Sequence, residues 1–317
     1  MVSVELHSWL PVSKADSRAA TRMVAAVACA LVLSGCKMGV LDPQGPVGVA
    51  QKSILTGSVA IMLAIVVPTI VAILAFAWWY RASNIRARHL PDWEYSGRIE
   101  LVVWSVPTLV VMLLGGVAWI GSYDLDPAKP LASSQKPLKI QVVSLDWKWL
   151  FLYPDQDIAA VNTLTVPVGV PIHFSLTSAS VMNAFFIPQL GSMIYTMNGM
   201  TNQLYLQADR IGVYPGLSSH YSGGGFADMN FKVNVVSDSE FSSWVDLTSS
   251  ATAVLNAEGY SELAKQSAKV EPATYRLEKD ARLFEMIVSQ EIPPGPGPRP
   301  MQPDKSEAAH SGRRHVR

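Results

Sequence analysis

The order of apolar and polar positions along the chain changes several times, and each change predicts a different kind of element. A short apolar run from Met23 to Leu33 follows the basic residues Lys14, Arg18 and Arg22. It falls well short of the roughly 20 residues that a spanning helix needs, so 1–35 reads as an export signal peptide. Ser53 to Tyr80 and Leu101 to Tyr123 are two longer runs without a charged residue. Both can cross a bilayer, and aromatic residues suited to its interfaces stand near their ends: Trp78, Trp79 and Tyr80 in the first, Trp104 and Trp119 in the second. Pro68 and Pro107 lie inside the runs, where neighbouring helices absorb the broken hydrogen bond. The pattern therefore predicts a transmembrane helical hairpin over 53–123, preceded by an exported segment over 36–52.

From about Lys136 the pattern shortens to segments rich in Val, Ile, Thr, Phe and Tyr: Lys139 to Val143, Asn162 to Val166, Ile172 to Thr177 and Phe231 to Val236. Gly, Pro and Asn turns separate them, which predicts an antiparallel sandwich or barrel over 124–236. After Ser237 the period becomes helical. Ser237 and Glu240 form a capping-box signature, and Phe241, Trp244 and Val245 share one face. A second helix fits Asp280 to Ser289, so 237–292 is expected to be a C-terminal helical segment. The remainder, 293–317, is rich in Pro and Gly and then polar, and is expected to be disordered.

Charge sets the orientation. Arg81, Arg86, Arg88 and Arg98 lie between the two apolar runs, and the excess of positive charge on cytoplasmic loops assigns them to the inside. Both flanks then face outward. Leu33-Ser34-Gly35-Cys36 is similar to the bacterial lipobox, which implies cleavage before Cys36 and acylation of that residue, and an acyl anchor on the outer face demands the same orientation. Hydrophobic residues make up 49% of the chain and charged residues 16%, consistent with a protein partly in lipid. The net charge is zero, so nothing supplies the basic patch that nucleic acid would require. Only Cys29 and Cys36 are present. One leaves with the signal and the other becomes a thioether, so the mature chain has no free thiol and no disulfide framework.

Several local motifs carry a resemblance. Leu41-Asp42-Pro43, Phe76-Ala77-Trp78 with Tyr80-Arg81-Ala82-Ser83-Asn84, and Val142-Val143-Ser144-Leu145-Asp146-Trp147-Lys148-Trp149 resemble subunit II of the bo-type ubiquinol oxidases, members of the haem-copper oxidase superfamily. Ser180-Val181-Met182-Asn183-Ala184-Phe185-Phe186-Ile187-Pro188 and Tyr221-Ser222-Gly223-Gly224-Gly225-Phe226 do so too. The likeness is close from about Cys36 to Val236 and weaker beyond. It implies a two-helix transmembrane hairpin followed by an all-β cupredoxin-like sandwich with C-terminal helices.

In the related cytochrome c oxidases that sandwich carries a dinuclear copper centre, held by one His and a later Cys-x3-Cys-x3-His-x2-Met run. At the corresponding positions this chain has Asn183, then Tyr221, Gly225, Met229 and Lys232, with Gly223 in place of the intervening Glu. The chemistry agrees, because a copper pair at short distance needs two bridging thiolates and the mature chain offers none. The resemblance thus implies no cofactor in this chain. Haems and copper are expected in a catalytic subunit I, joined by smaller membrane subunits and membrane lipid, and the donor is expected to be quinol rather than cytochrome c. Between Ser122 and Val236 seven acidic residues face six basic ones, too even a balance to steer a basic cytochrome.

Other residues carry weaker signals. His173 and His220, with Met193, Met197, Met200 and Met229, could in principle hold a single copper, but His and Met are also common packing residues. Trp147 and Trp149 alternate along what reads as one strand, and packing against the catalytic subunit is the expected role. Glu100 begins the second apolar run at its cytoplasmic end; it matches the family position lining the entrance of a proton path, against the simpler reading of a carboxylate at a helix N-terminus. Two alternatives stay open: subunit II of a menaquinol aa-type oxidase, and a stand-alone lipoprotein serving as a chaperone or copper-handling module.

Overall fold

The computed structural model describes residues 39–88, 90, 92–278, 282–295 and 297. The expected signal peptide over 1–35, Cys29, Cys36 and most of the 293–317 tail lie outside the described residues. Two long helices come first, α1 over Pro46–Trp79 and α2 over Gly97–Asp124. Both are long and apolar enough to cross a membrane, and their most apolar windows are not buried against the rest of the chain.

Each helix is longer than its uncharged run, and α1 shows why. Its 34 residues rise about 51 Å at 1.5 Å per residue, well beyond a hydrocarbon core of about 30 Å. Pro46, free of an amide proton, starts the helix, and the turn from Pro46 to Gln51 docks on the β domain. Gln44 N–H donates to Gln189 O at 2.7 Å, Gly48 N–H to Leu190 O at 3.0 Å, and Asp209 N–H to Gln44 O at 2.8 Å. Gly45 permits this approach, since any Cβ there would collide with the Gln207 carbonyl. The Gln51 amide also donates to the Ser192 hydroxyl. In the apolar region the helices touch where Gly121 faces Ile54.

The β domain has two facing sheets. The strands are β1 (Leu138–Leu145), β2 (Lys148–Tyr153), β3 (Ile158–Val161), β4 (Thr163–Pro167), β5 (Pro171–Ser178), β6 (Asn183–Phe186), β7 (Ile194–Thr196), β8 (Asn202–Gln207), β9 (Gly212–Ser218), β10 (Asn230–Val236), β11 (Val254–Leu255) and β12 (Ala273–Leu277). One sheet runs β11-β12-β3-β2-β1-β5-β8 and the other β4-β10-β9-β6-β7. The sandwich expected from the sequence is present, but it is not purely antiparallel: β1 pairs parallel with β5, and β4 with β10. Alternation of side chains reports which face is buried and carries no information about strand direction, so the pattern could not distinguish the two.

Aromatic rings fill the space between the sheets. Phe185 stacks on Phe231 at 5.2 Å, while Trp149 meets Phe185 edge-on at 5.4 Å and Phe231 at 5.7 Å. Edge-to-face pairs of this kind each add about 0.5–1.5 kcal/mol beyond the area they bury.

Among the described residues, the stretch 237–292 holds three helices, α3 (Asp238–Ser249), α4 (Ala257–Leu263) and α5 (Leu283–Val288), and also two strands. The capping box forms as the sequence predicts: Ser237 Oγ accepts the Glu240 N–H, and the Glu240 carboxylate accepts the Ser237 N–H. Hydrogen bonds from the Ser237 side chain and backbone hold the Glu240 carboxyl below its ordinary pKa. Phe241, Trp244 and Val245 pack against the inter-sheet core.

The strands were not expected. β12 pairs antiparallel with β3, Ala273 opposite Val161, and thereby extends the larger sheet. Leu255, Tyr260, Leu283, Phe284 and Ile287 then cover the sheet's outer face over Val143, Leu145, Leu150, Leu152 and Val161. This explains why β2, Lys148–Tyr153, is buried on both faces.

Candidate functional site

Of the positions that the copper-binding pattern singles out, Asn183, Gly225 and Met229 lie at one corner of the sandwich, where β6 leaves the β5–β6 loop and β9 gives way to the 219–229 loop. Asn183 is 1% exposed and both ends of its amide are engaged: Nδ2 donates to Val181 O at 3.3 Å and Oδ1 accepts from Ser218 Oγ at 3.2 Å. The loop is closed by its own backbone, with Phe226 N–H on Gly223 O, Asp228 N–H on Gly225 O and Ser218 N–H on Met229 O, each at 3.1 Å. Gly223, with φ of +109°, takes a conformation few side chains tolerate.

Tyr221 points away from this corner, 73% exposed, with its ring edge-on to Phe226 at 5.6 Å. Met229 is buried, its sulfur 4.0 Å from Ser222 Oγ. Lys232 lies on β10 opposite Pro215 and Thr163, exposed and apart from the other four.

The indole of Trp147 closes the corner. Its Nε1 donates to Ser222 O at 3.0 Å, and its ring lies against Gly225 so closely that any Cβ on that residue would collide with it. Trp147 was expected on a strand with Trp149. It instead occupies the turn between β1 and β2 with φ of +67°, a conformation costly for a bulky residue and held by its surroundings. Both indoles are inside the domain, Trp147 2% exposed and Trp149 fully buried, so neither is free to pack on a partner. The Trp147 N–H is satisfied inside the domain, while the Trp149 Nε1 is buried without a partner among the described residues; with both rings enclosed, the reason to expect an interface is removed.

The turn that holds Trp147 is tied down on both sides. The carboxylate of Asp146 accepts from Ser180 Oγ in the β5–β6 loop. Lys148, 1% exposed, sends its ammonium to Lys265 O at 2.7 Å and to Ser267 Oγ, clamping the covering segment onto β2. Burial lowers the pKa of Lys148, with the Asp146 charge opposing the shift. Three consecutive side chains thus engage three separate segments. In the sequence Asp146-Trp147-Lys148 is legible only as part of a family motif, because nothing local reveals where such side chains reach.

The residues present do not fit a dinuclear copper centre: one thiolate position is a glycine covered by an indole, the other a tyrosine turned to solvent, and the first His position an amide already paired. The two histidines have different ring partners. His173 stacks on Tyr205 at 4.4 Å, its Nε2 buried without a partner among the described residues, whereas His220 meets Tyr195 edge-on at 5.9 Å. No group of three or more His, Cys, Asp or Glu side chains suited to a metal occurs among the described residues.

Glu100 lies far along the chain from this corner, in the first turn of α2, exposed, its N–H bonded to Ser96 O at 3.0 Å. No side chain caps that helix start.

Residues 154–236 match the family model described as the periplasmic domain of cytochrome c oxidase subunit II. The chain is 47% identical to cytochrome bo(3) ubiquinol oxidase subunit 2 of Pseudomonas aeruginosa over 88% of its own length and 83% of that protein's. It is also 47% identical to ubiquinol oxidase subunit 2 of Acetobacter aceti, over 82% of this chain and 85% of that one. Among solved structures, the periplasmic domain of subunit II of cytochrome oxidase from Bradyrhizobium japonicum matches at 29% identity and a TM-score of 0.35, over 36% of this chain and 96% of that domain. With two membrane-length helices, a cupredoxin-like sandwich and relatives at this identity over most of its length, the chain belongs to the family of subunit II of the bo-type ubiquinol oxidases, a branch of the haem-copper oxidases.

Proposed function

We propose that this chain is the non-redox, lipid-anchored subunit II of a quinol-oxidising, proton-translocating terminal oxidase of the bacterial inner membrane. The carrying observation is the closed corner of the sandwich, where Trp147 covers Gly225 and Asn183 is paired to Ser218. A domain built this way has no copper to receive electrons from a soluble cytochrome. Electrons then enter as quinol in the membrane, and the haems and copper reside in the catalytic subunit I on which this chain sits with smaller membrane subunits.

In this reading acylated Cys36 starts the mature protein, 53–123 forms a hairpin with its Arg-rich loop in the cytoplasm, and the sandwich over 124–236 with its cover over 237–292 faces the periplasm. Glu100 then stands at the cytoplasmic surface, where a carboxylate at the edge of the hydrocarbon can pass protons toward the catalytic subunit. Haems and copper belong to that partner, and this chain assembles, anchors and contributes the proton entrance.

The test is purification of the native complex through a tag on this chain. Quinol-dependent oxygen uptake, haem in the co-purifying subunit, no oxidation of reduced cytochrome c and a Cys36 acylated at both its thiol and its amine by mass spectrometry are expected. A haem-free preparation of this chain alone would overturn the reading in favour of a stand-alone lipoprotein.

A further inference from the structure

The outer ends of the two long helices meet the β domain at a cleft of about 230 Å³. Val47, Pro127, Leu131, Leu204 and Tyr205 supply apolar walls, and Asp124, Asp126 and Lys129 stand among its lining. Its level is set by where charge returns: the uncharged run of α1 begins just after Lys52 and that of α2 ends just before Asp124. Gly121 facing Ile54 puts the two helices in that register. In a spanning hairpin the cleft therefore opens at the boundary between hydrocarbon and headgroups.

The charges there are not matched to one another. Ion pairs among the described residues are Lys136–Asp155 and Lys265–Glu262, so Asp124, Asp126 and Lys129 belong to none. Asp124 sits in the last turn of α2, where the exposed carbonyls favour a cation, yet that turn carries no basic residue. Asp126 is exposed and accepts the Ala128 N–H at 2.9 Å with Oδ1. Lys129 Nζ rests 5.7 Å from the centre of the Tyr123 ring instead of on either carboxylate. The backbone is held in place, since Tyr205 N–H donates to Pro127 O at 2.9 Å. A fixed cleft thus offers two carboxylates, one ammonium and apolar walls at the depth of lipid headgroups.

We propose that this cleft seats the headgroup of an ethanolamine phospholipid of the outer leaflet, its ammonium on Asp124 and Asp126 and its phosphate toward Lys129. The inference rests on the spanning orientation proposed above. An ethanolamine headgroup carries N–H donors that carboxylates can accept, whereas a choline headgroup has none. A glycerol headgroup brings net negative charge against two carboxylates. The start of the acyl chains continues along Val47 and the apolar surface of α1.

The full-length chain, reconstituted in nanodiscs of equal parts phosphatidylethanolamine, phosphatidylcholine and phosphatidylglycerol, tests this by native mass spectrometry of the lipids retained after gentle extraction. Preferential retention of phosphatidylethanolamine is expected. The double substitution Asp124→Asn with Asp126→Asn should lower it about fivefold, in line with loss of partly exposed ion pairs. Lys129→Gln, at an exposed position that leaves both acids in place, should lower it as well and guards against a folding defect in the double variant. Equal retention of the three lipids, or unchanged phosphatidylethanolamine in the variants, overturns the proposal. So does loss of the catalytic subunit from the native complex with lipid retention unchanged, which would assign these residues to a protein contact. Release of the chain from membranes by alkaline carbonate without detergent would instead refute the spanning reading itself.

Discussion

The indole of Trp147 lies directly over Gly225, and its Nε1 donates to the carbonyl of Ser222 three residues earlier in the same loop. The loop that the resemblance aligns with the thiolate-bearing run is here packed against a side chain from another turn. Gly225→Ala should therefore destabilise the domain by about 1–3 kcal/mol, the usual cost of forcing a methyl group into a filled space. Trp147→Ala removes the ring and should cost about 3–5 kcal/mol. Thermal unfolding of the full chain in detergent measures both, and a Gly225→Ala protein as stable as the parent would mean that the indole withdraws freely.

Copper added to the purified chain should be removed by dialysis against a weak chelator. Elemental analysis is expected to read near zero per chain, because Asn183, Tyr221 and Gly225 provide neither imidazole nor thiolate at the seat. One tightly held copper per chain would redirect attention to His173 or His220.

Lys148 makes stability depend on pH in a definite direction. Burial sets its folded pKa below the ordinary 10.5. Between those two values the unfolded chain binds more protons than the folded one, so stability rises with pH across that window. Below it the cost of the buried ammonium is present in full. The stability of the parent relative to Lys148→Met should therefore improve as pH is raised from neutral toward about 10, where tyrosines begin to ionise. A difference that stays flat over this range would show that the ammonium is as well solvated folded as unfolded.

Glu100→Gln keeps the shape of the side chain and removes its acid. In the assembled complex it should slow quinol-dependent oxygen reduction severalfold while haem content and subunit composition stay the same. Turnover equal to the parent would leave Glu100 as a helix-end charge, worth about 0.3–1 kcal/mol to α2.

Gly45→Val tests the junction between helix and sandwich. A side chain there meets the Gln207 carbonyl and should break the set of bonds from Gln44 and Gly48 to Gln189 and Leu190. Limited proteolysis around Asp42 to Lys52 is expected to become much faster than in the parent, and an unchanged digestion pattern would show that the junction tolerates the displacement.

Local signals were enough for much of this protein. Uncharged runs at Ser53 to Tyr80 and Leu101 to Tyr123 revealed the two long helices, since their length and apolarity are properties of contiguous residues. Short segments rich in β-branched and aromatic residues, bounded by turns, revealed β1, β4, β5 and β10, and Ser237 with Glu240 marked the start of α3, because capping is a bond between residues three apart. The absence of thiolates after Cys36 could be counted directly.

Tertiary structure decided what depends on distant partners. Helix α1 begins at Pro46 rather than Ser53 because Gln44 just before it is held by Gln189 and Asp209 and Gly48 in its first turn by Leu190, none of them near in sequence. β12 was illegible as a strand since its ladder partner is β3, more than a hundred residues earlier by the numbering of Ala273 and Val161. The two tryptophans looked alike in the sequence, yet Trp147 turns at positive φ to cover Gly225 while Trp149 joins the ring cluster between the sheets. Composition along the chain encodes which residues leave water; which of them meet is settled only when loops as remote as 146–148, 219–229 and 265–267 are brought together and packed.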